Sequence, residues 1–281
     1  MIKNNLKAGF LGMICLIFIY SCGDATKSSN LKSEYEKDTV NQIIDFSKLI
    51  SRGDTLLGNR HVSLWSMDSL YTGYETLYLK VADTNGNAVP DMGIDYRPVM
   101  HMGMMSHAGP FQKLISKGSG IYQADVVFIM ANMEGMGKGW QFHTFLTEHG
   151  KTDTLSFDLP VKEAKYARTL PTGTKDDGRV FVSCLLPAEI KKGSNPIRFV
   201  IHKTDKDRFP ELDGYSITLE PFMPAMGHGS SGNKNAEGTG GGRYEGTVQL
   251  SMPGEWLIKA TLLKDGNVVS QDSLVFPVEV K

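Results

Sequence analysis

The sequence predicts an all-β protein whose mature part consists of two tandem β-sandwich domains. Short apolar runs rich in Val, Ile, Tyr and Phe are separated by Gly, Asn, Asp and Pro. No long helical period follows the first fifty residues, and four short blocks of sequence occur twice in the same order. Many short strands at this spacing are typical of a sandwich or barrel, and an ordered internal repeat indicates duplication.

Individual segments support the strand prediction. Residues 77–81 alternate in polarity and precede a turn, and residues 245–250 and 256–263 form two further half-buried runs. The last of these ends at Asp265-Gly266, a strong hairpin signal. A single short helix is expected near 42–49. The stretch 229–242, in which six of fourteen residues are Gly, predicts a mobile loop.

The amino-terminal segment predicts export. Lys3 and Lys7 precede an apolar stretch over 8–20, which is shorter than the roughly 20 residues of a membrane-spanning helix. This pattern indicates a signal peptide over 1–21. Ser21-Cys22-Gly23 resembles a bacterial lipobox, which implies cleavage before Cys22 and acylation of that residue. The alternative is an ordinary secretory signal with an incidental cysteine.

The charge and cysteine content limit the function classes. Removal of Lys3 and Lys7 with the signal peptide moves the formal net charge from -1 to about -3, which argues against nucleic-acid binding. Cys184 lies in an apolar run and is expected to be a buried, unreactive thiol. We therefore expect a chain anchored to membrane lipid through Cys22, followed by a polar tether over 22–58, and facing the periplasm or the cell exterior.

The internal repeat sets the predicted domain boundaries. Its blocks pair 60–83 with 179–205, Met102-Gly-Met-Met105-Ser-His107 with Met223-Pro-Ala-Met226-Gly-His228, Gly120-Ile-Tyr122 with Gly242-Arg-Tyr244, and Met136-Gly-Lys-Gly-Trp140 with Met252-Pro-Gly-Glu-Trp256. We expect a first domain over 59–162, a linker over 163–177 and a second domain over 178–281.

Methionine and histidine concentrate in these repeated blocks. Half of the fourteen methionines lie between Met100 and Met136, together with His101 and His107, and His143 follows shortly after. Thioether sulfur is a soft ligand that favours Cu(I), and imidazole also suits copper. The candidate ligands are Met102, Met105, His107 and Met136 in the first domain and Met223, Met226, His228 and Met252 in the second.

Convergence of these ligands requires a bend. Positions i and i+3 of a straight strand point to opposite faces, whereas Gly103, Pro224 and Gly227 favour turns that could bring the groups together. The alternative is a structural turn in which Met packs and His caps. Trp140 and Trp256 are expected to be core residues, although an indole face can also cover a cation.

The second set of blocks resembles the YtkA-like domain, which is related to FixH-type proteins. The resemblance rests on Met223-Pro-Ala-Met226-Gly-His228, Gly242-Arg-Tyr244 and Met252-Pro-Gly-Glu-Trp256. It covers the second domain nearly whole and the first domain more loosely, which implies two tandem YtkA-like copies. It implies an immunoglobulin-like β-sandwich outside the cytoplasmic membrane, with Met223, Met226 and His228 as metal candidates. It also implies a link to copper handling or to cytochrome oxidase assembly. The first domain departs from the pattern, since Met102-Gly replaces Met-Pro and residues 129–136 are inserted.

The expected function is non-enzymatic. The sequence contains no Gly-x-Ser-x-Gly, His-Glu-x-x-His, phosphate loop or dinucleotide fingerprint. We expect a lipoprotein that binds copper as Cu(I) through one Met/His cluster per domain, for sequestration, tolerance or delivery to a copper-trafficking or oxidase-assembly partner. The alternatives are an immunoglobulin-like interaction or structural module without metal, and an oxidase assembly factor.

Overall fold

The computed structural model describes residues 44–89, 92–206 and 208–281. The predicted signal peptide, Cys22 and the predicted tether up to residue 43 lie outside the described residues. Within the described part of the chain, no helix is both long and apolar enough to cross a membrane. The only helical segments described there are 3₁₀ turns at Phe46–Lys48 and Pro224–Met226, and all other regular elements are strands. The all-β prediction is confirmed.

The first half of the chain forms two sheets. Its strands are β1 (Ile50–Leu57), β2 (Arg60–Ser66), β3 (Gly73–Asp83), β4 (Gly93–Met102), β5 (Met105–Ala108), β6 (Ile115–Gly118), β7 (Ile121–Phe128), β8 (Gly139–Glu148) and β9 (Lys151–Leu159). One sheet has the order β1-β2-β3-β7-β6 and the other β5-β4-β8-β9. Apart from the additional β1, this is the ABED and C′CFG arrangement of an immunoglobulin domain, so the predicted immunoglobulin-like fold is confirmed here.

The second half repeats this strand order. Its strands are β10 (Thr169–Thr174), β11 (Gly178–Leu185), β12 (Gly193–Lys203), β13 (Ser216–Met223), β14 (His228–Gly229), β15 (Lys234–Gly240), β16 (Arg243–Leu250), β17 (Gly254–Lys264), β18 (Asn267–Val268) and β19 (Leu274–Val280). The order β10-β11-β12-β16-β15 corresponds to the first sheet, and β14-β13-β17-β19 to the second. The pairs Ser216–Glu237 and Ile217–Ala236 join β13 to β15, which connects all ten strands.

Each half has a hydrophobic core between its two sheets. Alternating residues of β3 (Leu77, Leu79 and Val81) are buried in the first half, as period-two patterning requires. Trp140 of β8 and Trp256 of β17 are both fully buried, each within the core cluster of its own half. The two indoles are therefore core residues of the second sheet in each half.

Three stretches differ from expectation. Strand β1 lies inside the predicted tether and β10 inside the predicted linker, because each pairs with the following strand despite its polar sequence. The Gly-rich stretch 229–242 contains strand β15, which pairs with both β13 and β16. Backbone pairing on two sides thus orders a segment whose composition alone predicts a mobile loop.

Cys184 lies on β11 and faces the core of the second half. Only 3% of the residue is exposed, and burial raises the pKa of its thiol to about 12. The expectation of a buried, unreactive thiol agrees with this position.

Contacts between the halves include buried polar groups. Arg243 of β16 donates to the Tyr74 hydroxyl, 3.0 Å away, and to the side-chain oxygen of Gln112. Its guanidinium also lies 3.4 Å from the Asp125 carboxylate, which is 2% exposed. Arg168, inside the predicted linker, ties that segment to the second half by donating to the carbonyl of Pro277 at 2.8 Å.

Candidate metal centre

A tight turn places Met223 opposite His228 in the second half. Strand β13 ends at Met223, the 3₁₀ turn Pro224–Met226 follows, and Gly227 closes the turn with φ of 65°. Proline supplies the fixed φ at the start of the turn, and glycine tolerates the left-handed conformation at its end. Met223 and His228 are then cross-strand partners, so their side chains leave the sheet on the same face.

The His228 ring is held in one tautomer by the backbone. Nδ1 lies 2.9 Å from the carbonyl oxygen of Gly229 and must donate to it, because a carbonyl can only accept. A neutral imidazole in this arrangement carries its free lone pair on Nε2, for which no hydrogen-bond partner is found among the described residues. Metal-binding histidines are commonly oriented in this way, through a backbone acceptor on the other nitrogen.

Trp256 forms the wall beside this imidazole. The two rings meet edge to face, with centroids 6.0 Å apart and planes at 72°. The indole N–H donates to the backbone carbonyl of Met252 at 3.1 Å, which fixes the start of β17 next to the turn. The thioether of Met252 packs against the core at its edge.

Met223 itself is packed into the core edge. It is 5% exposed, and a Cβ added to Gly254 would lie 2.7 Å from the Met223 methyl carbon. Gly254 also has φ of 120°, so glycine is required there both for backbone conformation and for space. Met226 differs, since it is 58% exposed at the top of the turn.

The same local arrangement occurs in the first half. His107 Nδ1 lies 3.1 Å from the carbonyl oxygen of Ala108, and the ring meets Trp140 edge to face at 5.6 Å. The Trp140 indole donates to the carbonyl of Met130 at 2.8 Å. Met100 is the cross-strand partner of both His107 and Trp140. Met100 and Met130 thus occupy the places that Met223 and Met252 occupy in the second half.

This correspondence differs from the repeat seen in the sequence, which pairs Met102 with Met223 and Met136 with Met252. The hairpin of the first half is longer by two cross-strand pairs, His101–Ser106 and Met102–Met105, so His107 falls opposite Met100. A shared Pro-x-Met sequence, Pro98-Val-Met100 and Pro221-Phe-Met223, is the signal that could have aligned them.

The remaining predicted ligands of the first half lie around this hairpin. Met102 packs against the core, whereas Met105 is 68% and Met136 50% exposed. The loop carrying Met136 touches the hairpin, because a Cβ on Gly137 would lie 2.7 Å from both the Gly103 nitrogen and the His101 carbonyl oxygen. The structure therefore gathers these residues in one region, with Met100 and His107 nearest the tryptophan.

A second pair of imidazoles lies on the opposite face of the same sheet. His101 Nε2 and His143 Nε2 are 3.4 Å apart, and the rings meet edge to face at 5.7 Å. His143 Nδ1 lies 2.7 Å from the hydroxyl of Ser156. Partial burial, together with the charge of His101, lowers the pKa of His143. The sequence places both histidines in the Met-rich region but does not indicate that they meet.

The available ligand types limit the metals that these turns could hold. Within the described ranges, no three His, Cys, Asp or Glu residues gather as a metal-binding group. A site at either turn would combine one imidazole with thioether sulfur, a ligand set that suits Cu(I). The residues at both turns fit a soft monovalent ion in ligand type.

Comparison with known families gives a match in the second half. The model of the YtkA-like family matches residues 176–261, as the sequence resemblance predicts. The match begins within two residues of the predicted boundary at 178 and includes Met223, Met226, His228 and Trp256. No curated protein matches the chain.

Several solved structures resemble the chain at low identity. The adhesin InvE of Yersinia pseudotuberculosis is 11% identical, with a TM-score of 0.25 over 82% of this chain and 61% of that chain. The Escherichia coli adhesin FdeC is 12% identical, with a TM-score of 0.25 over 85% of this chain and 84% of that chain. Domains 5–6 of the S-layer protein SbsC are 12% identical, with a TM-score of 0.30 over 82% of this chain and all of that chain. This chain spans less than two thirds of the InvE structure.

Proposed function

We propose that this protein is an exported, lipid-anchored and non-enzymatic copper-binding protein that holds Cu(I) at one Met/His turn in each half. We use this term for the hairpin turn that pairs Met100 with His107 in the first half and Met223 with His228 in the second. Its role would be to sequester copper or to pass it to a partner at the membrane. The anchor would be Cys22, and the first half would be a diverged second copy of the YtkA-like domain. The single observation that carries the proposal is the orientation of His107 and His228, whose Nδ1 atoms both face a backbone carbonyl.

That orientation supports metal binding because it leaves Nε2 as the ligand atom. Each histidine lies opposite a buried methionine, Met100 or Met223, and beside a buried tryptophan. A carbonyl acceptor fixes the ring without adding charge, which suits a neutral ligand set for a monovalent soft ion. In the second half, exposed Met226 could supply a further sulfur from above the turn.

An immunoglobulin-like structural or interaction module without metal is the second candidate. The sandwich topology favours it, as does the burial of Met100 and Met223, which are 1% and 5% exposed. In that case methionine fills the core edge, and the histidine only caps the hairpin. The two candidates predict opposite outcomes of a copper titration.

The test is an anaerobic Cu(I) titration against a chromogenic chelator, using protein expressed from the full-length sequence and purified in detergent. We expect two equivalents of bound Cu(I), and loss of one equivalent in each double variant, Met223→Leu/His228→Gln and Met100→Leu/His107→Gln. Met67→Leu, at a methionine that is 67% exposed on the protein surface, is the matched control and should retain both.

Further variants decide which methionine acts in the first half. If the hairpin register governs ligation, Met100→Leu lowers affinity more than Met102→Leu. Circular dichroism and thermal unfolding report whether each variant is folded. Equal Cu(I) affinity in the wild-type protein and in both folded double variants would contradict copper binding at the turns. The interaction module without metal would then be the better explanation.

A further inference from the structure

We propose that His101 and His143 form a separate site for a divalent, nitrogen-preferring metal ion, with Cu(II) bound most tightly, on the outer face of the four-stranded sheet. The two Nε2 atoms are 3.4 Å apart and are carried by neighbouring strands, β4 and β8. This site does not depend on Cu(I) binding at the Met/His turns.

The separation of the two nitrogens matches a shared ion. Two nitrogen ligands at about 2.0–2.1 Å from a tetrahedral ion stand roughly 3.3–3.4 Å apart. The separation is longer than the roughly 2.7–3.2 Å of a usual hydrogen bond from a nitrogen donor. In the tautomer that protonates His101 Nε2, that atom can still donate to His143 at this distance. Loss of that proton leaves two facing lone pairs, which a shared cation can join.

Hydrogen bonding fits His143 for ligation. The Ser156 hydroxyl lies 2.7 Å from Nδ1 and can accept its proton, which places the lone pair on the Nε2 that faces His101. An acceptor on the second nitrogen is the usual companion of a metal-binding histidine, because it fixes both the ring and its tautomer.

This site is distinct from the Met/His turn of the same half. Side chains alternate along β4, so Met100 and Met102 face the core while His101 faces outward. Two imidazoles without sulfur form a harder ligand set than Met with His, and among first-row divalent ions Cu(II) binds such nitrogen ligands most strongly. The two sites would thus select different oxidation states of copper.

The charges around the histidine pair set a modest affinity. Arg97 lies directly opposite His143 on β4, and its positive charge opposes a bound cation. On the other side, Asp158 accepts a hydrogen bond from Gln141, which lies on β8 between His143 and Gly139, the cross-strand partner of His101. The partly exposed position leaves room for water or a partner's group to complete the coordination.

The second half provides a natural comparison. The position on β17 that corresponds to His143 is Lys259, which forms an ion pair with Glu220 at 3.8 Å. Pro224 stands where the first half has His101. The predicted site therefore belongs to the first half alone, and His143→Lys is a substitution that this fold already accepts at the equivalent position.

The experiment is a Cu(II) titration without reductant, with glycine as the competing ligand, on protein made from the full-length sequence. Electron paramagnetic resonance of the Cu(II) complex reports the coordinated imidazole nitrogens. We expect His101→Gln, His143→Gln and His143→Lys each to lower the affinity for the first Cu(II) equivalent at least tenfold and to change the nitrogen hyperfine pattern. The controls His61→Gln and His149→Gln should leave both unchanged.

Two results would overturn the proposal. One is wild-type affinity and spectrum in folded His101→Gln/His143→Gln protein. The other is an equal loss of affinity in a control variant, which would indicate general binding by surface histidines. A Cu(I) titration of the same variants separates the two proposals. The His101 and His143 variants should bind as many equivalents of Cu(I) as the wild-type protein, because the Met/His turns are unchanged in them.

Discussion

Arg243 of the second half ion-pairs with Asp125 of the first, with Nη2 3.4 Å from the carboxylate oxygen. Asp125 is 2% exposed and also accepts hydrogen bonds from Thr76 at 2.7 Å and Gln123 at 3.0 Å. The contact thus joins the halves through a buried carboxylate that is bonded on several sides. Loss of the guanidinium would leave this charge without its cation.

Arg243→Met should therefore destabilise the folded protein. Because Arg243 is partly exposed, we expect a loss of about 2 kcal/mol, below the roughly 3–5 kcal/mol for breaking a fully buried pair. Urea unfolding measures this loss of folding free energy. A double-mutant cycle with Asp125→Asn isolates the pair, and Lys259→Met, which removes an exposed pair, should cost less than about 1 kcal/mol. A near-zero coupling energy in the cycle would contradict the assignment.

His202 should make stability depend on pH. The side chain is fully buried, and neither ring nitrogen has a hydrogen-bond partner among the described residues. Burial, and secondarily the charge of Arg243, lower the pKa of His202 from its ordinary 6.5 to about 4. Between these values the unfolded chain binds a proton that the folded chain does not, so stability falls as the pH falls through this window.

The expected loss of folding free energy is large enough to measure. Lowering the pH from 7.5 to 5 should cost about 2 kcal/mol through this one group, since each pKa unit corresponds to about 1.4 kcal/mol. His202→Leu should flatten that part of the pH profile in urea unfolding, whereas His149→Gln at an exposed turn should leave it unchanged. Identical pH slopes in wild type and His202→Leu would show that this histidine is not the source.

Gly254→Ala should disturb the turn of the second half. The new methyl group would lie 2.7 Å from the Met223 methyl carbon and would also be strained by φ of 120°. Gly266→Ala is a matched control, because Gly266 has φ of 76° but no neighbouring atom within 4 Å of the added carbon. We expect both to cost about 1 kcal/mol for the backbone, and Gly254→Ala to cost about 1–3 kcal/mol more for overpacking.

The same pair of variants tests copper binding at Met223. If that thioether is a ligand, Gly254→Ala lowers Cu(I) affinity and Gly266→Ala does not. Thermal unfolding and the chelator titration measure the two effects separately. Equal stability of the two variants would contradict the packing contact.

Cys184 should be protected from alkylation in the native state. Burial raises the pKa of its thiol to about 12, so very little thiolate exists at pH 8. We expect iodoacetamide labelling of the Cys184 peptide, followed by mass spectrometry, to be slower by about 10³-fold or more in native than in urea-unfolded protein. Rapid labelling without denaturant would mean that β11 opens easily.

Local signals in the sequence are sufficient for the all-β class and for a YtkA-like second half. These signals each involve only a few neighbouring residues. They are the alternation at Leu77 and Leu79, the turn residues Pro224 and Gly227, and the Met-Pro-Gly-x-Trp block. β10 and β15 could not be predicted in this way, because Thr169–Thr174 and Lys234–Gly240 are polar or Gly-rich and are ordered by partners distant in sequence.

The candidate metal sites likewise combine features that the sequence predicts with features that depend on strand pairing. The composition of the blocks points to Met223, His228 and His107, but the register of a hairpin depends on its length. Two added cross-strand pairs move the partner of His107 from Met102 to Met100. The approach of His101 and His143 across β4 and β8 is likewise a property of strand pairing and not of sequence proximity.

The Ser216–Glu237 and Ile217–Ala236 pairs connect the two sheets of the second half, whereas the described strands of the first half remain in two separate sheets. Opening the second sandwich between β13 and β15 therefore breaks strand pairing. In the first half, the segment after β5 links the same edge instead, because the Gly109 N–H donates to the carbonyl of Pro98 and the Pro110 carbonyl accepts from the Val127 N–H. Slow amide exchange should accordingly follow the β13–β15 pairing in the second half and appear at Gly109 and Val127 in the first.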